Sequence, residues 1–190
     1  RTGERYRHEL KYRISYGEKA VLELRLAPLL QRDAHAGPGG YLIRSLYFDD
    51  CWNSAYAEKD AGILARKKYR IRIYNGSDAV IRLERKKKVG SWICKEEAAL
   101  TRAELEKLLS WDYGFLLASP QPLCREFYFE CVSNLLRPRV VVDYEREPWV
   151  QKEGTVRITF DRDVRAAVGG WDLFDQHLPT LPVLDPGTLV

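Results

Sequence analysis

The amino-acid sequence predicts an α+β chain built on a mostly antiparallel β-sheet, curved or closed into a barrel, with helices packed outside it. Three observations predict this. At least six segments alternate polar and apolar residues with the period that sends successive side chains to opposite faces of a strand. The helical stretches between them are few and lack the strand–helix–strand rhythm of a parallel sheet. In several strands one face is charged and the other apolar, which suits a charged interior and an apolar exterior covered by helices.

The elements follow in order. Residues 5–14 form a first strand, with Arg7, Glu9, Lys11 and Arg13 on its polar face. Residues 17–31 read as an amphipathic helix carrying Val21, Leu24 and Leu29, interrupted by Pro28. Gly37-Pro38-Gly39-Gly40 is a turn, without the strand-to-helix setting of a phosphate-cradling loop. Tyr41–Asp49 is a strand. Two basic runs follow, Lys67–Tyr74 and Val80–Lys88, joined by Asn75-Gly76-Ser77-Asp78, whose glycine supplies a positive φ. A shorter strand around Ser91–Ala98 carries Lys95. Thr101 and Glu104 form a capping box that opens a helix to about Leu109. A second helix runs from Leu123 to about Leu136 and Pro138 ends it. In the strand Arg139–Glu147, one face holds Val140, Val142, Tyr144 and Arg146. In the strand Thr155–Asp163, Arg157, Thr159 and Asp161 oppose Val156, Ile158 and Phe160. The tail from His177 is punctuated by proline.

At 190 residues the chain fits a single domain, 1–190, with room for a sizeable core. No run of about 18 apolar residues is present to form a membrane-spanning helix. The four cysteines (Cys51, Cys94, Cys124, Cys131) have no C-x-x-C spacing, and Cys124 and Cys131 fall on one helix too far apart to bridge. Reduced thiols and a cytoplasmic setting are therefore expected. His8, His35 and His177 are too scattered in sequence to suggest a histidine metal site. The net charge of +4 is modest, but the cations are concentrated, which points to a local anion site.

That concentration lies in the basic hairpin. Lys68, Arg70 and Arg72 share one face, opposite Tyr69, Ile71 and Ile73; on the second run Arg82, Glu84, Lys86 and Lys88 face away from Ile81 and Leu83. A solvated face usually mixes both signs, whereas residues 66–88 set ten Lys and Arg against Asp78 and Glu84 alone. Like charges opposite one another also destabilise a hairpin. An anion would compensate, and a polyanion threading a closed barrel would relieve the cost of burying the cations.

Six motifs in order resemble the VTC domain, the polyphosphate polymerase branch of the triphosphate tunnel metalloenzyme (CYTH-like) superfamily. They are Arg7-His8-Glu9-Leu10-Lys11-Tyr12, Ser45-Leu46-Tyr47-Phe48-Asp49, Arg66–Arg72, Leu83-Glu84-Arg85-Lys86, Tyr144-Glu145-Arg146 and Val156–Asp161. The resemblance implies an eight-stranded antiparallel tunnel, lined by basic residues and a few carboxylates. It implies transfer of the γ-phosphoryl group of ATP to a growing polyphosphate chain, with Mn²⁺ or another divalent cation. By motif position Lys11, Arg70, Arg72, Lys86, Lys95 and Arg146 match phosphate-binding residues, with Lys11, Arg70, Arg72 and Lys86 carrying catalysis; Arg157 joins the phosphate-binding set. The family also has a further C-terminal strand, with a metal-binding glutamate, beyond the point where this chain stops at Val190.

Arginine suits phosphate because it stays charged and donates planar, paired hydrogen bonds. Glu9 and Glu84 could hold a divalent cation through hard oxygen ligation or pair with neighbouring cations, and Asp161 is expected to form an ion pair. Lys67, Arg85 and Lys87 fall on the opposite face and are expected to be surface charges; Tyr6, Tyr12, Tyr69 and Tyr74 are expected to pack. No nucleophile triad is evident, so catalysis would rest on positioning and charge neutralisation. The expected partners are ATP and inorganic polyphosphate or triphosphate, with room for a membrane-protein partner in the cell. A triphosphate hydrolase or a non-catalytic polyphosphate or inositol-phosphate sensor are the alternatives. Nucleic acid is disfavoured, because the charged face of the hairpin carries only one tyrosine, Tyr74.

Overall fold

A computed structural model describes residues 6–34, 36–37, 39–152 and 156–190. Arg5 and Thr155, the expected starts of two strands, lie outside them, as do His35 and Pro38.

The polypeptide forms β1 (Tyr6–His8), β2 (Ile14–Ser15), α1 (Tyr16–Leu26), β3 (Gln31–Arg32), β4 (Tyr41–Asp49), α2 (Ser54–Asp60), β5 (Ala65–Tyr74) and β6 (Ser77–Val89). There follow β7 (Trp92–Leu100), α3 (Arg102–Leu109), α4 (Gly114–Ala118), α5 (Pro122–Ser133), β8 (Arg137–Val150), β9 (Arg157–Ala167), β10 (Thr180–Pro182) and β11 (Thr188–Leu189). One antiparallel sheet runs in the order β1-β7-β6-β5-β4-β8-β9-β10, and β3 pairs with β8.

The expected closed barrel is not found: the sheet is open and curled, and its edge strands β1 and β10 do not pair. The first strand explains why. It pairs with β7 only through Tyr6, Arg7 and His8, and residues 9–13 then leave the ladder. The chain resumes as β2, which pairs with β11 instead. Next to β11, Val190 exchanges two backbone hydrogen bonds with Asp161 of β9, at 2.7 and 2.9 Å. The curl itself comes from register shifts in the β4–β8, β5–β6 and β8–β9 ladders. Such irregularities bend a strand and increase its twist.

The β5–β6 turn is tight. Asn75 and Gly76 take φ of 52° and 65°, the left-handed pair that a two-residue hairpin needs. The capping box at Thr101 and Glu104 opens α3 as expected, and a second one, Ser15 with Glu18, opens α1. That helix ends before Pro28 and buries no residue. Val21, Leu24 and Leu29 are exposed rather than turned into a core.

Leu46, Phe48, Tyr69, Ile71 and Leu83 make the outer face of the sheet and pack against Leu105, Leu108, Leu116, Phe127 and Cys131 of α3, α4 and α5. Each such large side chain contributes about 1.5–3 kcal/mol by leaving water. A smaller cluster of Leu30, Trp149, Phe160 and Leu189 lies at the β8–β9 end. No disulfide joins the four cysteines.

Arg85 is a correction to the expected surface charges. It is buried on the outer face and ion-paired with Glu96 and Glu126, while Lys67 pairs with Glu130. These contacts, with the Tyr69 hydroxyl donating to Glu126 at 2.9 Å, pin α5 to the back of the basic hairpin. Tyr6 and Tyr12, expected to pack, are exposed.

Candidate functional site, a basic groove

Alternation along the curled sheet gathers the charged faces into one groove. The register sets Lys68 opposite Lys86, Arg70 opposite Glu84 and Arg72 opposite Arg82; across the next ladder Glu84 faces Glu97 and Lys86 faces Lys95. On the other side of β5, Ser45 and Tyr47 of β4 lie opposite Arg72 and Arg70.

Arg72 is the most enclosed cation of the groove, 5% exposed. It donates to the Tyr144 hydroxyl at 2.9 Å and to Ser45 Oγ at 3.4 Å, and its Nη1 lies 3.7 Å from Glu84 Oε1. Arg70 donates to Glu84 Oε2 at 2.6 Å and to the Tyr47 hydroxyl at 2.9 Å. Lys95 pairs with Glu84 at 2.7 Å and with Glu97 at 3.0 Å. One carboxylate therefore serves two guanidiniums and an ammonium. Burial alone would raise the Glu84 carboxyl, but Arg70, Arg72 and Lys95 outweigh it and hold the group down at about 2.

Tyr47 shows the same field. Burial pushes its phenol up, yet Arg70, Arg72 and Lys11 bring it below its ordinary value. The phenol oxygens of Tyr47 and Tyr144 each accept from an arginine, so their own O–H groups remain to donate elsewhere.

Lys86 donates to Glu9 at 2.6 Å, and Lys11 lies 3.8 Å from the same carboxylate oxygen. Lys11 is largely exposed, at the groove rim. Burial and the nearby charges of Lys11 and Arg70 lower the Lys86 ammonium despite Glu9. Arg146 is clamped by both oxygens of Asp161, at 2.7 Å each, and its guanidinium lies over the Tyr144 ring. Asp161 is thus an ion-pair partner as expected, but of Arg146. Gly40 backs this arrangement: its φ is +87°, and a Cβ there would overlap the Arg146 carbonyl oxygen.

The structure therefore brings Arg70, Arg72, Lys86, Lys95 and Arg146 together, with Lys11 at the edge. Arg157 stands apart. It is four register positions from Arg146 along β8–β9 and is held by Asp33 and the Tyr41 hydroxyl, at 3.1 and 3.3 Å.

Glu9 and Glu84, the expected metal ligands, are both committed to cations, and no group of three His, Cys, Asp or Glu suited to a metal ion occurs among the described residues. The described residues do not fit a resident divalent ion. Sequence reasoning omitted Tyr47, Tyr144 and Ser45 from the site. Their signal was available, since each shares a strand face with a groove cation or lies beside one across a ladder.

A family model for the VTC domain matches residues 6–190. Among solved structures, a Bacillus halodurans protein provisionally described as an adenylate cyclase superposes with a TM-score of 0.52. The two share 16% identity, and the match covers 88% of this chain and 75% of that one; at this identity the likeness is one of fold. No curated protein shows significant similarity.

Proposed function

From the premise that the chain belongs to the VTC domain family, we propose that it is a polyphosphate polymerase, moving the γ-phosphoryl group of ATP onto a polyphosphate chain in the basic groove. The observation that carries this reading is the pair Arg70 and Arg72. Both are fixed before any ligand arrives, Arg72 almost fully enclosed, and they share a single carboxylate with Lys95. Such a floor retains positive charge and oriented donors for phosphate oxygens.

In the proposed reaction a terminal oxygen of the acceptor chain attacks the γ-phosphorus in line. The bond from that phosphorus to the β–γ bridging oxygen breaks, and ADP leaves with the electron pair. Arg70, Arg72 and Lys86 neutralise charge on the transferring group, and the Tyr47 and Tyr144 hydroxyls orient its oxygens. No side chain need accept a proton, because the attacking phosphate oxygen is already ionised. Nucleotides are normally carried as divalent-cation complexes, so a Mn²⁺ or similar ion would arrive with ATP as part of the substrate.

Incubation with ATP, Mn²⁺ and a short polyphosphate primer, resolved by gel electrophoresis, tests the reading. Chain growth is expected, and Arg72→Ala should lower the rate by about a hundredfold or more. Release of orthophosphate from tripolyphosphate without chain growth would replace the polymerase with a hydrolase. Tight polyphosphate binding without turnover would replace it with a sensor.

A further inference from the structure

The two halves of the groove differ in how their cations are neutralised. In the half built on Arg70, Arg72 and Arg146 each guanidinium has a carboxylate, a phenol or both. The other half begins with two like-charged cross-strand pairs that are neighbours on the groove face, Lys68 opposite Lys86 and Arg66 opposite Lys88. Of these four, Lys86 alone has a carboxylate partner among the described residues. Lys68 is half-buried with no ion pair among the described residues, and α2, which carries Lys59, packs against β5 beside it. Burial, with the charges of Lys59 and Arg66, depresses the Lys68 ammonium below its ordinary value, although Tyr47 and Asp49 act against the change. Directly opposed like charges destabilise a ladder, and among the described residues no carboxylate pairs with Lys68, Arg66 or Lys88; the nearby Asp49 carboxylate is taken up by the backbone N–H groups of Asp50, Ala55 and Tyr56.

We propose that Lys68, Arg66 and Lys88 form a second anion subsite at this end of the groove, one that holds phosphate units of a polyphosphate chain beyond those engaged by Arg70 and Arg72. The subsite rests on the reading of the groove as a polyphosphate site and deepens it by assigning chain-length preference. Lys68 lies four residues from Arg72, about 13 Å along the strand. A triphosphate lodged over Arg72 and Tyr144 ends short of it, whereas a longer chain continuing along β5 passes over Lys68 and Lys86 and leaves over Arg66 and Lys88. These are flexible, partly exposed side chains, suited to holding a chain that must slide rather than one that must be fixed.

The test compares tripolyphosphate and ATP with a long-chain polyphosphate by isothermal titration, in about 0.15 M salt to confine each charge to its neighbourhood. The protein is either unaltered or carries Arg66→Gln, Lys68→Gln and Lys88→Gln together. The triple variant should bind long chains about tenfold or more weaker, bind tripolyphosphate within about twofold, and melt no lower than the parent because like-charge contacts are relieved. Equal weakening of both ligands would show a diffuse field and overturn the subsite, as would unchanged long-chain affinity. A loss confined to ATP would also overturn it, in favour of a nucleotide contact. If the unaltered protein bound neither phosphate, the reading of the groove itself would fall.

Discussion

Replacing Glu84 by glutamine removes the negative charge that Arg70, Arg72 and Lys95 share while leaving the side chain's shape almost unchanged. The magnitude follows from the proton equilibrium. The carboxyl is held at about 2, against an ordinary value of 4.5. At 1.36 kcal/mol for each tenfold in proton affinity that difference amounts to about 3 kcal/mol of folding stability. It lies at the lower edge of the ~3–5 kcal/mol lost when one member of a buried ion pair is removed. For a chain of this length the melting temperature should fall by about 6–12 °C at pH 7. The sign with pH is fixed by the direction of the displacement. A carboxyl whose folded-state value is depressed adds stability in full above its unfolded value and loses it as pH falls through the folded one. The unaltered protein should therefore lose this increment between about pH 4.5 and pH 2, and Glu84→Gln should lack that part of the decline. Scanning calorimetry of both proteins from pH 7 to pH 2.5 measures it. Saturating tripolyphosphate should narrow the gap at pH 7, since the ligand supplies the missing negative charge; a hundredfold excess over Kd adds about 2.7 kcal/mol. A Glu84→Gln protein melting within about 2 °C of the parent at pH 7, with an unchanged acid limb, would refute the reasoning.

Phe127→Ala, which empties a fully buried position against Phe48 and Tyr69, should cost about 3–5 kcal/mol in urea unfolding without altering the groove's charges. Arg44→Met should destabilise strongly because it strands the buried Asp143, which Arg44 holds through two 2.8 Å contacts. Adding Asp143→Leu should recover most of the loss, as a hydrophobic replacement of a buried pair often does. Gly40→Ala should lower stability by about 1 kcal/mol or more and, by shifting the Arg146 backbone, weaken tripolyphosphate binding. Calorimetric titration of that variant reads both effects.

The hairpin, β4 and α3 were legible because their signals are local: strict alternation, an Asn-Gly turn and a capping box each act within a few residues. Arg85 was misread for a related reason. Alternation correctly places it on the outer face, but its neutralisation depends in part on Glu126, distant in sequence and brought to it by α5. Glu126 and Glu130 stand four apart and so share a helix face, and that spacing hinted at basic partners on the sheet. The short strands β10 and β11 carry too few residues for a period to show, and their pairing is decided by backbone contacts. Val21 and Leu24 of α1 have helical spacing, yet spacing cannot say whether anything packs on them. The strand pattern left a curved sheet and a barrel both open, and the family resemblance implied the closed tunnel; continuous pairing along β1 fails at residues 9–13, where alternation alone predicts a strand. Within the groove, alternation found the cations and missed the phenols, because tyrosine reads as a packing residue until its hydroxyl has a partner.

The opposed cations of β5 and β6 set stability against ligand capture when variants of this chain compete. Replacing Lys68 or Lys88 with a neutral residue relieves repulsion, so a library sorted for heat resistance alone should accumulate such changes and drift toward proteins that fold better and bind anions worse. A library sorted with polyphosphate present should retain the lysines, since the ligand then supplies the counter-charge. The charge pattern of this hairpin would survive only under selection that includes its anion.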